Sequence, residues 1–157
     1  MEFSLSSEQE MLIESARAFA ENELYPHEEE VEQSDSVSPE LAQKIRDRAI
    51  EMGFYAANMP EDLGGGGLDC VSLSLVEREL GRANFALQYL VGRPSNILQA
   101  CVGEQRDHYL FPCIRGEKTD CLAMTEPGAG SDLRSMQCRA DIDGDGYVIN
   151  GTKHFIS

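Results

Sequence analysis

The sequence predicts an α+β chain: an amino-terminal all-α helical bundle followed by the opening strands of a β unit. Three observations predict it. Helix-start signals at Ser6, Ser38 and Asp69 each precede apolar residues at helical spacing. Glycines and prolines break the first two-thirds of the chain into successive apolar stripes. After Asp120 the apolar period changes from 3.6 residues to two.

Ser6 followed by Gln9 forms a capping box, and Leu12, Ala16, Phe19 and Ala20 then share one helical face up to about Leu24. The acidic stretch 28–36 has no apolar stripe and reads as a loop or a frayed, solvated helix end. Ser38 then Pro39 is an N-cap with proline at the first helical position, and Leu41, Ile45, Ala49 and Met52 follow before Gly53 stops the helix. Four consecutive glycines, 64–67, rule out any regular element there. No strand precedes them and no Lys-Ser or Lys-Thr pair follows, so the loop reads as a connector rather than a phosphate cradle. Asp69 caps a third helix through Leu73, Val76 and Leu80. Further helical stretches are predicted at 85–91, 97–102 and 104–114, with breaks at 92–94 and Gly103.

In the last part of the chain, Met136, Cys138, Ala140 and Ile142 alternate with Gln137, Arg139 and Asp141. Residues 143–146 then read as a turn and 147–150 as a returning strand, which makes a β-hairpin. The boundary between units falls between Gly116 and Cys121, giving residues 1–118 and 119–157. A lone hairpin is marginal, so the second unit reads as cut short. Asp141, Asp143, Asp145 and Gly146 copy the first half of a calcium loop, but Thr152 cannot supply the bidentate carboxylate at its twelfth position, and a hairpin turn is favoured.

With 157 residues, 41% of them hydrophobic, the chain can enclose one ordinary core or two small ones. Its net charge of −15 repels phosphate backbones and anionic lipid, which argues against nucleic-acid binding. No apolar run approaches the roughly 20 residues of a membrane span, and the start lacks a basic stretch leading into one, so no membrane insertion is expected. The five cysteines are odd in number and lack C-x-x-C spacing, which fits a reducing, cytoplasmic setting. His27 and His108 lack an H-x-x-x-H partner, so no metal site is expected.

The chemistry concentrates in the run L-A-M-T-E-P-G-A-G-S-D, 122–132. An apolar extended stretch ends in a hydroxyl and a carboxylate, and a proline with two spaced glycines then allows a turn that presents backbone N–H groups beside Ser131, a geometry that hosts anions. A glycine-rich turn joining two strands has the same local pattern. Glu126, beside Pro127, reads as an acceptor of N–H groups rather than a base. By pattern alone Phe155 and Ile156 read as strand core and His154 as a solvated strand residue.

The run M-T-E-P-G-A-G-S-D resembles the signature of the acyl-CoA dehydrogenase family. The opening F-S-L-S-S-E-Q-E, the loop P-E-D-L-G-G-G-G-L-D, the helix E-R-E-L-G-R and the ending G-x-K-H-F-I-S resemble family features in the family's order, across essentially the whole chain. The resemblance implies a helical amino-terminal domain and the beginning of a β-barrel-like middle domain, with FAD held at domain and subunit junctions. Carried over by position, Leu122, Ala123, Met124, Thr125, Gly130 and Ser131 would line the flavin, Thr125 near its pyrimidine end and Ser131 reaching both FAD and the acyl-CoA substrate. Phe155, Ile156 and Ser157 match a second flavin segment, with phenylalanine where the family typically has tryptophan and with the Ser157 hydroxyl addressing the N5 edge.

The implied activity is oxidation of an acyl-CoA thioester to the 2,3-enoyl-CoA, with electrons passed to an electron-transfer flavoprotein, by a homotetramer in fatty acid metabolism. The general base is expected beyond Ser157, so no catalytic residue is assigned and the chain alone is expected to bind FAD weakly or not at all. A flavin oxidase or monooxygenase of the same superfamily, or a non-catalytic helical oligomerisation module, are the alternative readings.

Overall fold

Helix α1 (Ser7–Phe19) begins where the sequence places it, with the Gln9 N–H donating to Ser6 Oγ at 3.2 Å and the Ser6 N–H donating to Gln9 Oε1 at 3.1 Å. The computed structural model describes residues 4–156, which fall into two units, Met1–Thr119 and Asp120–Ser157. Beyond α1 the helix widens into a π-helical turn, Ala20–Leu24, then tightens into a 3-10 turn at Tyr25–His27. Ala16, Phe19, Ala20 and Leu24 are buried, and Phe19 meets Phe54 edge-on at 5.4 Å between ring centroids.

The acidic stretch after His27 differs from the sequence expectation. It forms α2 (Glu28–Ser34), anchored by Val31, which is 5% exposed. One buried valine leaves no periodic stripe, so the helix depends on tertiary contact rather than amphipathic pattern. Nor are the charges all solvated: the Glu28 carboxylate accepts the Asn84 N–H at 2.7 Å, and Glu32 accepts from the Asn84 amide. Asp35, at φ 51°, ends the helix in a left-handed conformation.

Helix α3 (Pro39–Glu51) is capped by Ser38 Oγ, and α4 (Cys70–Leu80) by Asp69 Oδ1, which accepts from Val71 and Ser72 at 2.8 and 3.1 Å. Between them the N–H groups of Gly65, Gly66 and Gly67 donate to the carbonyls of Pro60, Ala56 and Met59. A Cβ on Gly65 would lie 2.3 Å from the Met59 oxygen. Those donors are consumed internally, so the glycine run is a close-packed connector. The remaining predicted helical stretches form, but not as regular α-helix: 85–91 is α5 (Phe85–Gln88) with a 3-10 turn at Tyr89–Val91, 97–102 is replaced by a 3-10 turn at Asn96–Ala100, and 104–114 is dominated by a π-helical turn, Arg106–Leu110, leading into α6 (Phe111–Ile114).

Glu79, which the sequence does not single out, is the buried charge of this unit among the described residues. It is 3% exposed and accepts from Arg17 at 3.0 Å, from Arg78 at 2.8 and 3.1 Å and from Arg82 at 3.2 Å, joining α1 to α4. These guanidinium contacts, Arg17 foremost, lower its pKa to about 2 against the opposing effect of burial.

In the second unit, β1 (Arg139–Asp143) pairs antiparallel with β2 (Gly146–Asn150) through a two-residue loop. Gly144 takes φ 60° at the first loop position, the conformation that a type II′ turn requires there. This is the predicted hairpin, with the strand starting at Arg139 rather than Met136. Every residue of both strands is exposed.

Glu79→Ala should lower the unfolding free energy by about 2 kcal/mol, read by denaturant titration. Because the folded pKa lies below the unfolded one, the Glu79 contribution is present above the ordinary carboxylate pKa of 4.5 and is lost as pH falls toward about 2. Gly92→Ala should destabilise more strongly, because Gly92 has φ 81° and a Cβ there would lie 1.9 Å from the Tyr55 ring. A thermal midpoint unchanged from that of the unaltered chain would contradict this packing.

Candidate functional site

The segment before Glu126 runs without helix or strand, and its Leu122 and Met124 side chains are 56% and 38% exposed. Ala123 is exposed and Thr125 half-buried. Glu126 and Ala129 then close the turn over Pro127 and Gly128 by donating to each other's carbonyls at 2.9 and 3.1 Å. After Ser131, Asp132 caps a 3-10 turn, Leu133–Ser135, by accepting the Arg134 N–H at 3.2 Å.

Glu126 holds this loop against the two strands of chain that flank the hairpin. Only 8% exposed, it accepts the Gln137 N–H at 2.6 Å through Oε2, and the Cys138 N–H at 2.9 Å and Lys153 Nζ at 2.8 Å through Oε1. The Gln137 N–H, then the Lys153 ammonium and the Cys138 N–H, lower its pKa to about 2 despite burial. A carboxylate so held is ionised and fully engaged; it accepts N–H groups, as its place beside Pro127 suggests.

Lys153 Nζ also donates to the Met124 carbonyl at 3.1 Å, and the His154 N–H donates to the Thr125 carbonyl at 2.8 Å. The two candidate segments, separated by the whole hairpin in sequence, are thereby laid side by side. Gly151 allows the approach: its φ is 147°, and a Cβ there would lie 2.7 Å from Cys138. Sequence reasoning passed over Lys153, although it stands within the G-x-K-H-F-I-S ending; a lysine carries no local mark of a partner 27 residues away.

Among the described residues, the hydroxyls of Thr125 and Ser131 and the N–H groups of Gly128, Gly130 and Ser131 have no hydrogen-bond partner. Neither Gly128 nor Gly130 has a positive φ, and a Cβ on either would meet nothing within 4 Å. Packing among the described residues therefore does not explain the glycines. The expectation that Phe155 and Ile156 are strand core is overturned: neither is in a strand, Phe155 is 91% exposed at φ 56°, and Ile156 is 39% exposed. The β2 pairing ends at Asn150, before Gly151, and the His154 and Phe155 rings lie edge-on at 5.7 Å. His154 is exposed but outside a strand, and Ser157 lies outside the described residues. The arrangement offers hydroxyl and amide donors beside a bare aromatic face, which suits a planar, polar-edged ligand.

Hydrogen exchange at the His154 amide tests the role of Glu126. Protection should persist above the ordinary carboxylate pKa of 4.5 and fade as pH falls toward about 2, where Glu126 takes up its proton and releases Lys153. The expected signature is a protection factor that drops over that interval and recovers on returning to neutral pH.

Comparison with known proteins gives this geometry a family. The model for the acyl-CoA dehydrogenase N-terminal domain matches residues 6–117, and that for the acyl-CoA dehydrogenase middle domain matches residues 121–157. The short-chain specific acyl-CoA dehydrogenase of Clostridium acetobutylicum is 31% identical over 162 residues, covering 100% of this chain and 42% of that protein. The caffeyl-CoA reductase-Etf complex subunit CarC of Acetobacterium woodii is 36% identical over 158 residues, covering 97% of this chain and 41% of that protein. An acyl-CoA dehydrogenase from Bacillus anthracis, solved in complex with FAD, superposes with a TM-score of 0.76 at 32% identity, covering 98% of this chain and 27% of that one. The chain thus spans about two-fifths of the length of the curated relatives it matches. Both family models, in order and together spanning nearly every residue, place the chain in the acyl-CoA dehydrogenase family.

Proposed function

We propose that the protein is an FAD-dependent acyl-CoA dehydrogenase that oxidises an acyl-CoA thioester to the 2,3-enoyl-CoA, and that this chain supplies part of the flavin and substrate site. The observation that carries the reading is the pairing of the Thr125 carbonyl with the His154 N–H, which sets hydroxyl and amide donors that are partnerless among the described residues beside the exposed Phe155 ring. On this reading residues 1–118 form the helical N-terminal domain and 119–157 the first strands of the middle domain.

The bound flavin supplies the acceptor for the hydride that leaves the substrate. The chain's own residues bind and orient. Leu122, Ala123 and Met124 offer apolar contact to the ring system, Thr125 addresses its polar pyrimidine edge, and the Gly130 and Ser131 N–H groups serve as donors. Phe155 and Ile156 cover the ring from the second segment, with Ser157 following them. The Ser131 hydroxyl also reaches the acyl-CoA. Because the chain carries a net charge of −15, binding of the CoA phosphates has to rest on such local donors rather than on the overall field.

The electron acceptor on this reading is an electron-transfer flavoprotein, a role consistent with the Etf complex in the name of the Acetobacterium woodii relative. Among the described residues no helix is long and apolar enough to cross a membrane, and the reading extends to a homotetramer working in cytoplasmic fatty acid metabolism. The same relative is named as a reductase, which favours as second reading the reverse reaction, reduction of an enoyl-CoA at the same site.

Anaerobic addition of a saturated acyl-CoA to the flavin-loaded, full-length protein should bleach the oxidised flavin absorbance, and electron-transfer flavoprotein should restore it. Rapid restoration by oxygen instead would make the protein an oxidase, and no bleaching by any acyl-CoA would reject the dehydrogenase. Ser131→Ala and Phe155→Ala should each change stability by less than about 0.5 kcal/mol, since both side chains are exposed, yet weaken FAD binding in a fluorescence titration.

A further inference from the structure

Among the described residues, Lys153 is the one cation that reaches into both candidate segments. Its side chain is 25% exposed, and its ammonium group has three N–H donors. They meet three acceptors: Glu126 Oε1 at 2.8 Å, the Met124 carbonyl at 3.1 Å and Met136 Sδ at 3.7 Å. The next residue, His154, donates its N–H to the Thr125 carbonyl at 2.8 Å. Two consecutive residues of one segment are thus bonded to two consecutive residues of the other, Lys153 to Met124 and His154 to Thr125. Glu126 in turn is fixed by the Gln137 and Cys138 N–H groups at the entry to the hairpin, so the ammonium is bonded to a point that cannot slide.

Apolar packing does not set this alignment. Among the described residues of the second unit only Glu126 and Ala129 are buried, and Phe155 and Ile156 are exposed. Slipping one segment past the other by a residue would cost the His154 bond and the Met124 bond together, and would strip the counter-charge from a carboxylate held out of water.

We infer that Glu126 and Lys153 are positioning residues: the ion pair fixes the register of 122–125 against 154–156 and so sets the spacing between the Thr125 hydroxyl and the Phe155 ring. The inference rests on the proposed flavin reading for its consequence, since that spacing decides whether one planar ligand touches both. Neither residue touches the ligand; each acts through the segment it holds.

The test compares Lys153→Met, Lys153→Arg and Glu126→Gln with the unaltered full-length protein. Lys153→Met should raise the FAD dissociation constant by about tenfold or more, alter the visible circular dichroism of bound flavin, and speed His154 amide exchange in the flavin-free protein. Lys153→Arg should restore most of all three, which a loss of general stability would not do. If Lys153→Met does not fold, Lys153→Gln keeps an N–H donor near the same place and carries the same comparison. Unchanged His154 exchange in Lys153→Met and Glu126→Gln overturns the register role, and unchanged FAD affinity and flavin spectrum in both overturns its link to the ligand. Should the unaltered protein bind no FAD while His154 exchange still responds to Lys153→Met, the register role stands and the flavin reading falls.

Discussion

The Glu126 carboxylate is the point at which the turn after Thr125, the entry to the hairpin and the segment after it meet. An ionised carboxylate taken out of water is tolerated only when its oxygens are paired and hydrogen-bonded. Here Oε2 accepts one backbone N–H, and Oε1 accepts another together with an ammonium. Because its donors come from residues 137, 138 and 153, satisfying that one group is enough to assemble three stretches of chain. The consequence is a unit ordered by a polar junction, since Ala129 is its only other buried residue among those described. The hairpin by itself buries neither face, and its Ile142, Tyr147 and Ile149 are at least 70% exposed.

The helical unit treats its own buried carboxylate differently. Glu79 takes its charge balance from three arginines whose side chains stay about half exposed, so most of the guanidinium surface remains hydrated. The same unit has an ordinary apolar core, in which Phe19, Leu24, Ile45, Met59, Leu87 and Leu110 are almost fully enclosed. The acidic stretch on α2 serves this core as well, because Glu28 and Glu32 bind Asn84, which in turn caps α5 through the Ala86 N–H. The residues that give the chain its large negative charge therefore include structural acceptors, and charge count alone does not reveal which they are.

The chemistry of the candidate site follows from what the junction leaves unused. Glu126 consumes donors, while among the described residues the neighbouring hydroxyls of Thr125 and Ser131 and the N–H groups of Gly130 and Ser131 find no partner. A rigid hub beside unsatisfied donors is a pre-organised arrangement: the groups that would meet a ligand need little reordering when it arrives. The Phe155 ring, 91% exposed, adds nothing to the core.

The sequence by itself determined whatever depends on partners within a few residues. The Ser6, Ser38 and Asp69 caps each act within three positions and Gly144 sets the hairpin loop; residue type and spacing suffice for these because the interacting atoms are near neighbours along the chain. Only the tertiary structure decided that 28–34 is a helix, that Glu79 is buried among arginines, that Phe155 faces solvent, and that Lys153 joins Glu126. Helix 28–34 rests on a single buried anchor, and the Arg17–Glu79 and Lys153–Glu126 contacts span tens of residues, so none leaves a period. A glutamate or lysine read in isolation looks solvated; the fold alone supplies the distant donor that makes its burial favourable.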